Sequence, residues 1–196
     1  MKTTFKFIRQ SFIVLLLFVS CKDEDKLRQV ETEKLTMHND SVFNYLENNW
    51  SFKFPGVTAD LNSLLEDWKP WNDFKQEMEL KPMTSISAYQ KKIDLLDTKI
   101  QSIIYTKFPQ ELNTRDIKAR ITVLQNSIKN LQMFLYLEPI DIPKIETHIE
   151  EVKKNLTILI DKMEEIVVKN HLPTEVGEEE MLQLLDTTRM ANPENK

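Results

Sequence analysis

Apolar residues recur at alternating steps of three and four along the second half of the chain. This spacing places the apolar side chains along one face of an α-helix. It predicts three long helices, over residues 85–106, 114–137 and 142–170. The first stripe comprises Ile86, Tyr89, Ile93, Leu96, Ile100 and Ile103, the second Ile117, Ile121, Leu124, Ile128, Leu131 and Leu135, and the third Ile142, Ile145, Ile149, Val152, Leu156, Leu159, Met163 and Ile166.

Further apolar residues widen these stripes, which is typical of a globular bundle rather than of a two-stranded coiled coil. They are Leu95, Ile104, Phe134, Leu137, Ile160 and Val167. Thr114 and Asp141 stand at positions typical of helix N-caps, where a side-chain oxygen accepts a free backbone N–H. The short connections at 107–114 and 138–141 predict that consecutive long helices are antiparallel neighbours. We therefore expect an all-α fold, an antiparallel helical bundle.

Helical spacing is weaker in the first half of the chain. Residues 27–49 are predicted to form a helix. Its apolar side comprises Leu35, Val42, Tyr45 and Leu46. Two short helices are predicted over residues 59–68 and 71–80, separated at Pro70. The whole chain contains only two glycines, against an average usage of about 7%. This scarcity agrees with a fold built from helices.

These patterns divide the chain into four parts. Residues 1–20 carry only basic charges, and residues 21–34 predict a charged tether. Residues 35–172 are long enough for one helical bundle domain with its own core. Residues 173–196 predict an acidic tail, in which residues 177–190 have the spacing of a short helix.

The N-terminus combines basic residues, an apolar run and a cysteine. The basic residues are Lys2, Lys6 and Arg9. The apolar run, 12–19, is shorter than the roughly 20 residues that a transmembrane helix needs. Ser20 and Cys21, the only cysteine, follow it. The pattern resembles the signal peptide and lipobox of bacterial lipoproteins. This resemblance implies that residues 1–20 are removed and that a lipid on Cys21 anchors the chain in a membrane.

The residues after Cys21 also resemble a sorting signal. Lys22, Asp23, Glu24 and Asp25 are similar to the lysine-plus-acidic export signal of surface lipoproteins of the Bacteroidota. The resemblance implies an outer-membrane lipoprotein that faces the cell exterior. If these residues are only a solvated acidic tether, the protein faces the periplasm instead.

Charge argues against two classes of partner. Without residues 1–20, the chain has 23 basic and 31 acidic residues. Nucleic acids and anionic lipid surfaces are bound by clustered Lys and Arg, so we expect neither to be bound directly. Once Cys21 is lipidated, no thiol remains for a disulfide or for catalysis.

Motifs of the common enzyme classes are missing from the sequence. It contains no GxGxxG, GxxxxGK[ST], GxSxG or HExxH pattern. His148 has Glu146, Glu150 and Glu151 nearby, and imidazole with carboxylates can bind divalent metals. However, His148 lies next to the stripe residue Ile149 and is expected on a solvated helix face. We therefore expect no enzymatic activity, no cofactor and no metal site.

Aromatic residues concentrate in the least regular part of the chain, residues 50–74. They are Trp50, Phe52, Phe54, Trp68, Trp71 and Phe74. Such rings can stack on sugars or anchor a protein partner, with Asn72 and Asp73 supplying polar contacts. They can equally plug the end of a bundle where helices splay. The alternation of apolar and polar residues over 50–54 favours the plug, since it indicates one buried side.

The sequence favours a noncatalytic interaction or scaffold protein at the cell surface, with another envelope protein as its partner. A glycan-binding accessory lipoprotein is the alternative, in which Trp50, Trp68 and Trp71 stack on saccharide. Ser41 and Thr187 also lie in short motifs that resemble Bacteroidota O-glycosylation sites.

Overall fold

The computed structural model describes residues 21–82 and 84–171, and these residues form six α-helices and no strand. The helices are α1 Cys21–Asn49, α2 Ala59–Glu66, α3 Lys69–Glu79, α4 Ile86–Tyr105, α5 Arg115–Tyr136 and α6 Ile142–His171. The all-α fold and the helical bundle expected from the sequence are confirmed.

The three long helices begin and end within one residue of the predicted bounds. Side-chain caps explain this agreement. Thr114 Oγ1 accepts the backbone N–H of Ile117 at 3.3 Å, and Asp141 Oδ1 accepts that of Lys144 at 3.3 Å. Each bond satisfies one of the N–H groups that a helix start leaves free.

Polar contacts show that α4, α5 and α6 are antiparallel neighbours, as predicted. Between α4 and α5, Gln90 Nε2 donates to the carbonyl oxygen of Leu135 at 2.8 Å. Further along α4, Asp97 Oδ1 accepts from Gln125 Nε2 at 3.1 Å. Residue numbers therefore rise along α4 as they fall along α5. The same reversal joins α5 to α6, because Phe134 packs on His148 and Asp116 pairs with Lys162 at 3.7 Å.

The predicted stripes form the core. All their residues are buried except Ile86, Ile142 and Ile166, which are half-buried. Among the widening positions, Ile160 and Val167 are buried, Ile104 and Phe134 are half-buried, and Leu95 and Leu137 are exposed. Trp50 and Phe52, just after α1, join the same buried cluster.

The start of α3 differs from the prediction. Pro70 does not separate two helices but lies in the first turn of α3, which begins at Lys69. The interruption falls at Asp67 and Trp68 instead. A proline is tolerated in the first turn because the N–H that it lacks would have no partner there.

The first helix also differs from the prediction. It begins at Cys21 rather than at residue 27, so the predicted tether is itself helical. Val42 and Leu46 are buried and Tyr45 is half-buried, as expected. Leu35, which the spacing places on the same side, is 53% exposed. It lies on a part of α1 that no described helix covers.

A buried ion pair joins α3 to α4. Lys92 Nζ lies 2.6 Å from Glu77 Oε1, and the two side chains are only 7% and 20% exposed. The apolar spacing of α4 does not indicate that Lys92 is a core residue. A lysine can reach such a position because its methylene groups pack against apolar neighbours while the ammonium finds a carboxylate.

None of the helices in the two described stretches combines the length and the apolar character needed to cross a membrane.

Truncation of a core residue of α5 should destabilise the bundle far more than truncation of an exposed one. Leu131 is completely buried, whereas Met133 is 52% exposed. Leu131→Ala should lower the free energy of unfolding by about 2–5 kcal/mol, through lost burial and the cavity left behind. The matched control Met133→Ala should change it by less than about 0.5 kcal/mol. Urea denaturation followed by circular dichroism measures both, and equal losses would contradict the fold.

Removal of one partner of the buried ion pair should cost more than removal of both. Lys92→Met leaves the Glu77 carboxylate unpaired and should lower the free energy of unfolding by up to about 3 kcal/mol. The double variant Lys92→Met with Glu77→Met should recover most of this loss, because apolar side chains then fill the site. Denaturation of the single and double variants tests this. A double variant less stable than Lys92→Met would show that the pair contributes net stability.

Candidate functional site

The aromatic residues predicted as a site fall into two groups, with Trp50 in one and Trp68, Trp71 and Phe74 in the other. Trp50 follows the last turn of α1, and Trp68, Trp71 and Phe74 lie at the start of α3 and along it. We call these four residues, with Phe52, Phe54, Tyr89 and Phe108, the aromatic cluster. The irregular segment 50–54 connects the two groups, since Phe52 contacts Trp50 and Phe54 contacts Trp71.

The cluster consists of two groups of rings in contact. In one group, the centroid of Trp50 lies 5.2 Å from that of Tyr89 and 5.4 Å from that of Phe52, with the rings edge to face. In the other, Trp68 stacks on Trp71 at 6.1 Å and contacts Phe108 at 5.0 Å. Aromatic contacts at these distances add about 0.5–1.5 kcal/mol each beyond the burial of area.

None of the four predicted contact residues presents a ring face to solvent. Trp50 is 2% exposed, Trp68 3%, Trp71 2% and Phe74 0%. A sugar ring could stack on them only after the surrounding segment had moved. The geometry therefore favours the plug, which the sequence also favoured, over an exposed stacking surface.

Burial also affects the polar atoms of the cluster. Desolvation raises the pKa of the Tyr89 hydroxyl, and the nearby carboxylate of Glu47 acts in the same direction. Tyr89 therefore remains neutral around pH 7. Its aromatic face and hydroxyl belong to the core rather than to a reactive site.

The polar residues next to the tryptophans have structural partners. The Asn72 side-chain amide donates to the carbonyl oxygens of Leu65 and Glu66 at 3.0 and 2.8 Å. These bonds satisfy carbonyl groups at the end of α2, which a helix terminus leaves free. Asn72 thus fastens α3 to α2.

Asp73 pairs with two lysines. It accepts a hydrogen bond from Lys69 at 3.0 Å and lies 3.7 Å from Lys99 of α4. The hydrogen bond from Lys69 is the largest cause of a lowered pKa of the Asp73 carboxyl. The two ammonium groups thus balance the negative charge of Asp73. Because Lys99 belongs to α4, its pairing with Asp73 joins α3 to α4.

A small cleft adjoins the aromatic cluster. It has a volume of about 160 Å³ and lies between the segment 54–57 and helices α2, α3 and α6. Phe54 and Trp71 contribute apolar wall, while Asn62, Glu66 and Lys75 contribute polar atoms. Sites for small organic ligands usually measure about 300–1,000 Å³. The cleft is therefore below the usual size for a ligand site.

A wider groove runs along the other side of the irregular segment. Its volume is about 550 Å³, and Asn48, Lys53, Glu79 and Lys81 line it together with residues 50–52. These side chains offer charges of both signs at the surface of the groove.

His148 lies in a different environment from the one expected. Its side chain is 16% exposed, its ring stacks on Phe134 of α5 at 4.5 Å, and its Nδ1 lies 2.8 Å from Glu151 Oε2. The prediction of a solvated position was therefore wrong. His148 precedes a core residue by one position, so its ring reaches the edge of the α5–α6 contact. Among residues 21–82 and 84–171, no group of three or more His, Cys, Asp or Glu side chains is placed to hold a metal ion.

The residues of the predicted anchor lie at the edge of the described chain. Cys21 is the first residue of α1, and Lys22, Asp23 and Glu24 follow in its first turn. Asp25 is exposed. Residues 1–20 and 172–196 lie outside the described residues, and with them the predicted acidic tail 173–196, its predicted helix at 177–190 and Thr187.

The other predicted modification site is visible. Ser41 is exposed on α1, and its hydroxyl donates to the carbonyl oxygen of Met37 at 2.9 Å. This bond within the helix leaves the oxygen at the surface. O-glycosylation at Ser41 stays a prediction.

No model of a known protein family, no curated protein and no solved structure matches this chain.

Tryptophan fluorescence should report the buried plug. All three indoles are buried, so native emission should be blue-shifted and resist quenching by acrylamide, and both properties should vanish in urea. Addition of monosaccharides or oligosaccharides should leave the native emission unchanged, because no indole face is open to stacking. Readily quenched native emission at long wavelength would contradict the burial of the cluster.

Proposed function

We propose that this protein is a lipid-anchored lipoprotein of the bacterial outer membrane whose helical bundle acts as a noncatalytic interaction or scaffold module. The observation that carries the proposal is the sequence from Lys2 to Cys21, which ends in a lipobox-like cysteine. In support, Cys21 is also the first residue of α1, a single helix that leads from the anchor point into the core.

The arrangement of charges supports a noncatalytic role. Two carboxylates of α3 are paired with lysines: Asp73 has Lys69 and Lys99, and Glu77 has Lys92. These contacts hold helices together, and the groups in them are committed to the fold. What the bundle offers to another molecule is therefore its surface, and we propose another envelope protein as the partner.

The export-signal resemblance supports an outward orientation. Lys22, Asp23, Glu24 and Asp25 lie at the start of α1, before any residue of the bundle core. A receptor that reads this segment would meet it at the membrane end of the chain. With the signal read in this way, the bundle faces the cell exterior. The buried tryptophans lend no support to the glycan-binding alternative.

Replacement of the cysteine should abolish anchoring. In a Bacteroidota host, the full chain should fractionate with the outer membrane, and its N-terminal peptide should begin at Cys21 and carry the mass of acyl chains. Cys21→Ser should retain residues 1–20 and lose the acyl mass. Ser41→Ala is the matched control and should be lipidated like the wild type. An unmodified thiol in the wild-type protein would refute the anchor.

The orientation should depend on the acidic residues rather than on the lipid. The triple variant Asp23→Asn, Glu24→Gln and Asp25→Asn should still be lipidated but should resist protease added to intact cells. The wild type should be digested under the same conditions. If both are digested equally, the acidic residues are an ordinary tether and the export-signal interpretation fails.

A further inference from the structure

The first part of α1 extends beyond the end of the bundle. Every residue from 25 to 37 is exposed. His38 meets the turn before α6, since its Nε2 lies 2.8 Å from the carbonyl oxygen of Ile140. Ile140 lies in the turn between α5 and α6, which marks the end of the bundle. The first buried residue of α1, Val42, follows one turn later.

The direction of this extension follows from the same contact. His38 of α1 meets the residues before α6, and Thr58, after the end of α1, donates from Oγ1 to Glu164 Oε2 late in α6 at 2.8 Å. Residue numbers therefore rise together along α1 and α6. Residues 21–37 accordingly project past the end at which α6 begins, away from the loop 106–114 and the end of α6.

The extension has the composition of a helix that can stand in water. No glycine or proline occurs between residues 21 and 49, and Asp23, Glu24 and Asp25 lie in the first turn. An isolated helix of this length would be marginal, because its first turn is costly to form. Here the buried turns around Val42 and Leu46 supply the nucleus, and the extension only propagates it.

From these contacts we infer that residues 21–37 form a rigid helical spacer, which holds the bundle at a fixed height above the membrane to which Cys21 is joined. The inference rests on the proposed lipidation of Cys21. At 1.5 Å per residue, the spacer is about 25 Å long. The bundle end that carries the α5–α6 turn then faces the membrane, and the loop 106–114 faces outward at a set distance.

A flexible tether of the same length would behave differently, although its average span would be similar. Its root-mean-square end-to-end distance would be about 23 Å. A flexible chain, however, also visits short spans and lets the bundle touch the lipid. A helix whose last turns pack in the bundle keeps its full length, so these short end-to-end distances do not occur. The measurement that separates the two is therefore the frequency of close approach and not the mean height.

The chain offers its own probes for this measurement. Cys21 is the only thiol, so the chain from Cys21 to Lys196 can be coupled to a maleimide lipid in phosphatidylcholine vesicles. All three tryptophans lie in the bundle, and Trp50 is about 43 Å along α1 from Cys21. Energy transfer from tryptophan to a dansyl headgroup acceptor falls steeply with distance and reports close approach.

Three variants make the test specific. A hinge variant, Glu31→Gly, Thr32→Ser, Glu33→Gly and Lys34→Ser, should raise the transfer at least two-fold over the wild type, because it lets the bundle reach the lipid. The matched control, with alanine at the same four positions, should stay at the wild-type value. Deletion of residues 28–34 should raise transfer moderately, because it shortens the helix by about 10 Å.

The changed residues are exposed, so all variants should share the wild-type urea midpoint, which checks that the bundle is intact. Equal transfer from the wild type and the hinge variant would overturn the rigid spacer, as would a deletion without effect. Because the coupling is chemical, this result does not depend on lipidation in cells. A failed spacer therefore leaves the proposed anchor standing, and an unlipidated Cys21 in cells leaves the measured spacer standing.

Discussion

The bundle depends on the burial of one face of α5 between α4 and α6. All six residues of the α5 stripe are completely buried. Each such side chain contributes about 1.5–3 kcal/mol relative to an exposed one. The short turns on both sides of α5 make its neighbours antiparallel. Hydrogen bonds such as that between Gln125 and Asp97 then fix how far the helices slide along each other.

The aromatic cluster closes the part of this core that the long helices leave open. Helices α2 and α3 are short, and the chain between α1 and α2 is irregular, so large rings fill the space that regular packing would not. The burial of Trp68 and Trp71 follows from this need for volume. The polar side chains beside them, Asn72 and Asp73, hold helix ends and neighbouring helices. A segment with the composition of a binding site thus serves the fold.

The first helix connects the proposed anchor to the core. Its last turns contribute Val42 and Leu46 to the bundle, and its first turns carry Cys21 and the acidic residues. A single unbroken helix transmits the orientation of one end to the other. The proposed lipid on Cys21 would therefore be joined to the bundle through α1.

The sequence by itself determined the positions of the three long helices, because apolar spacing and caps such as Thr114 act within a few residues of chain. Only the tertiary structure decided which residues face one another. Lys92 is buried because Glu77 of α3 is opposite it, and His148 is half-buried because Phe134 of α5 covers its ring. Leu35 looked like a core residue by spacing, yet it is exposed because α1 has already passed the end of the bundle there. Apolar spacing indicates which residues share one face of a helix. Whether that face is buried depends on whether another helix packs against it at the same level of the bundle.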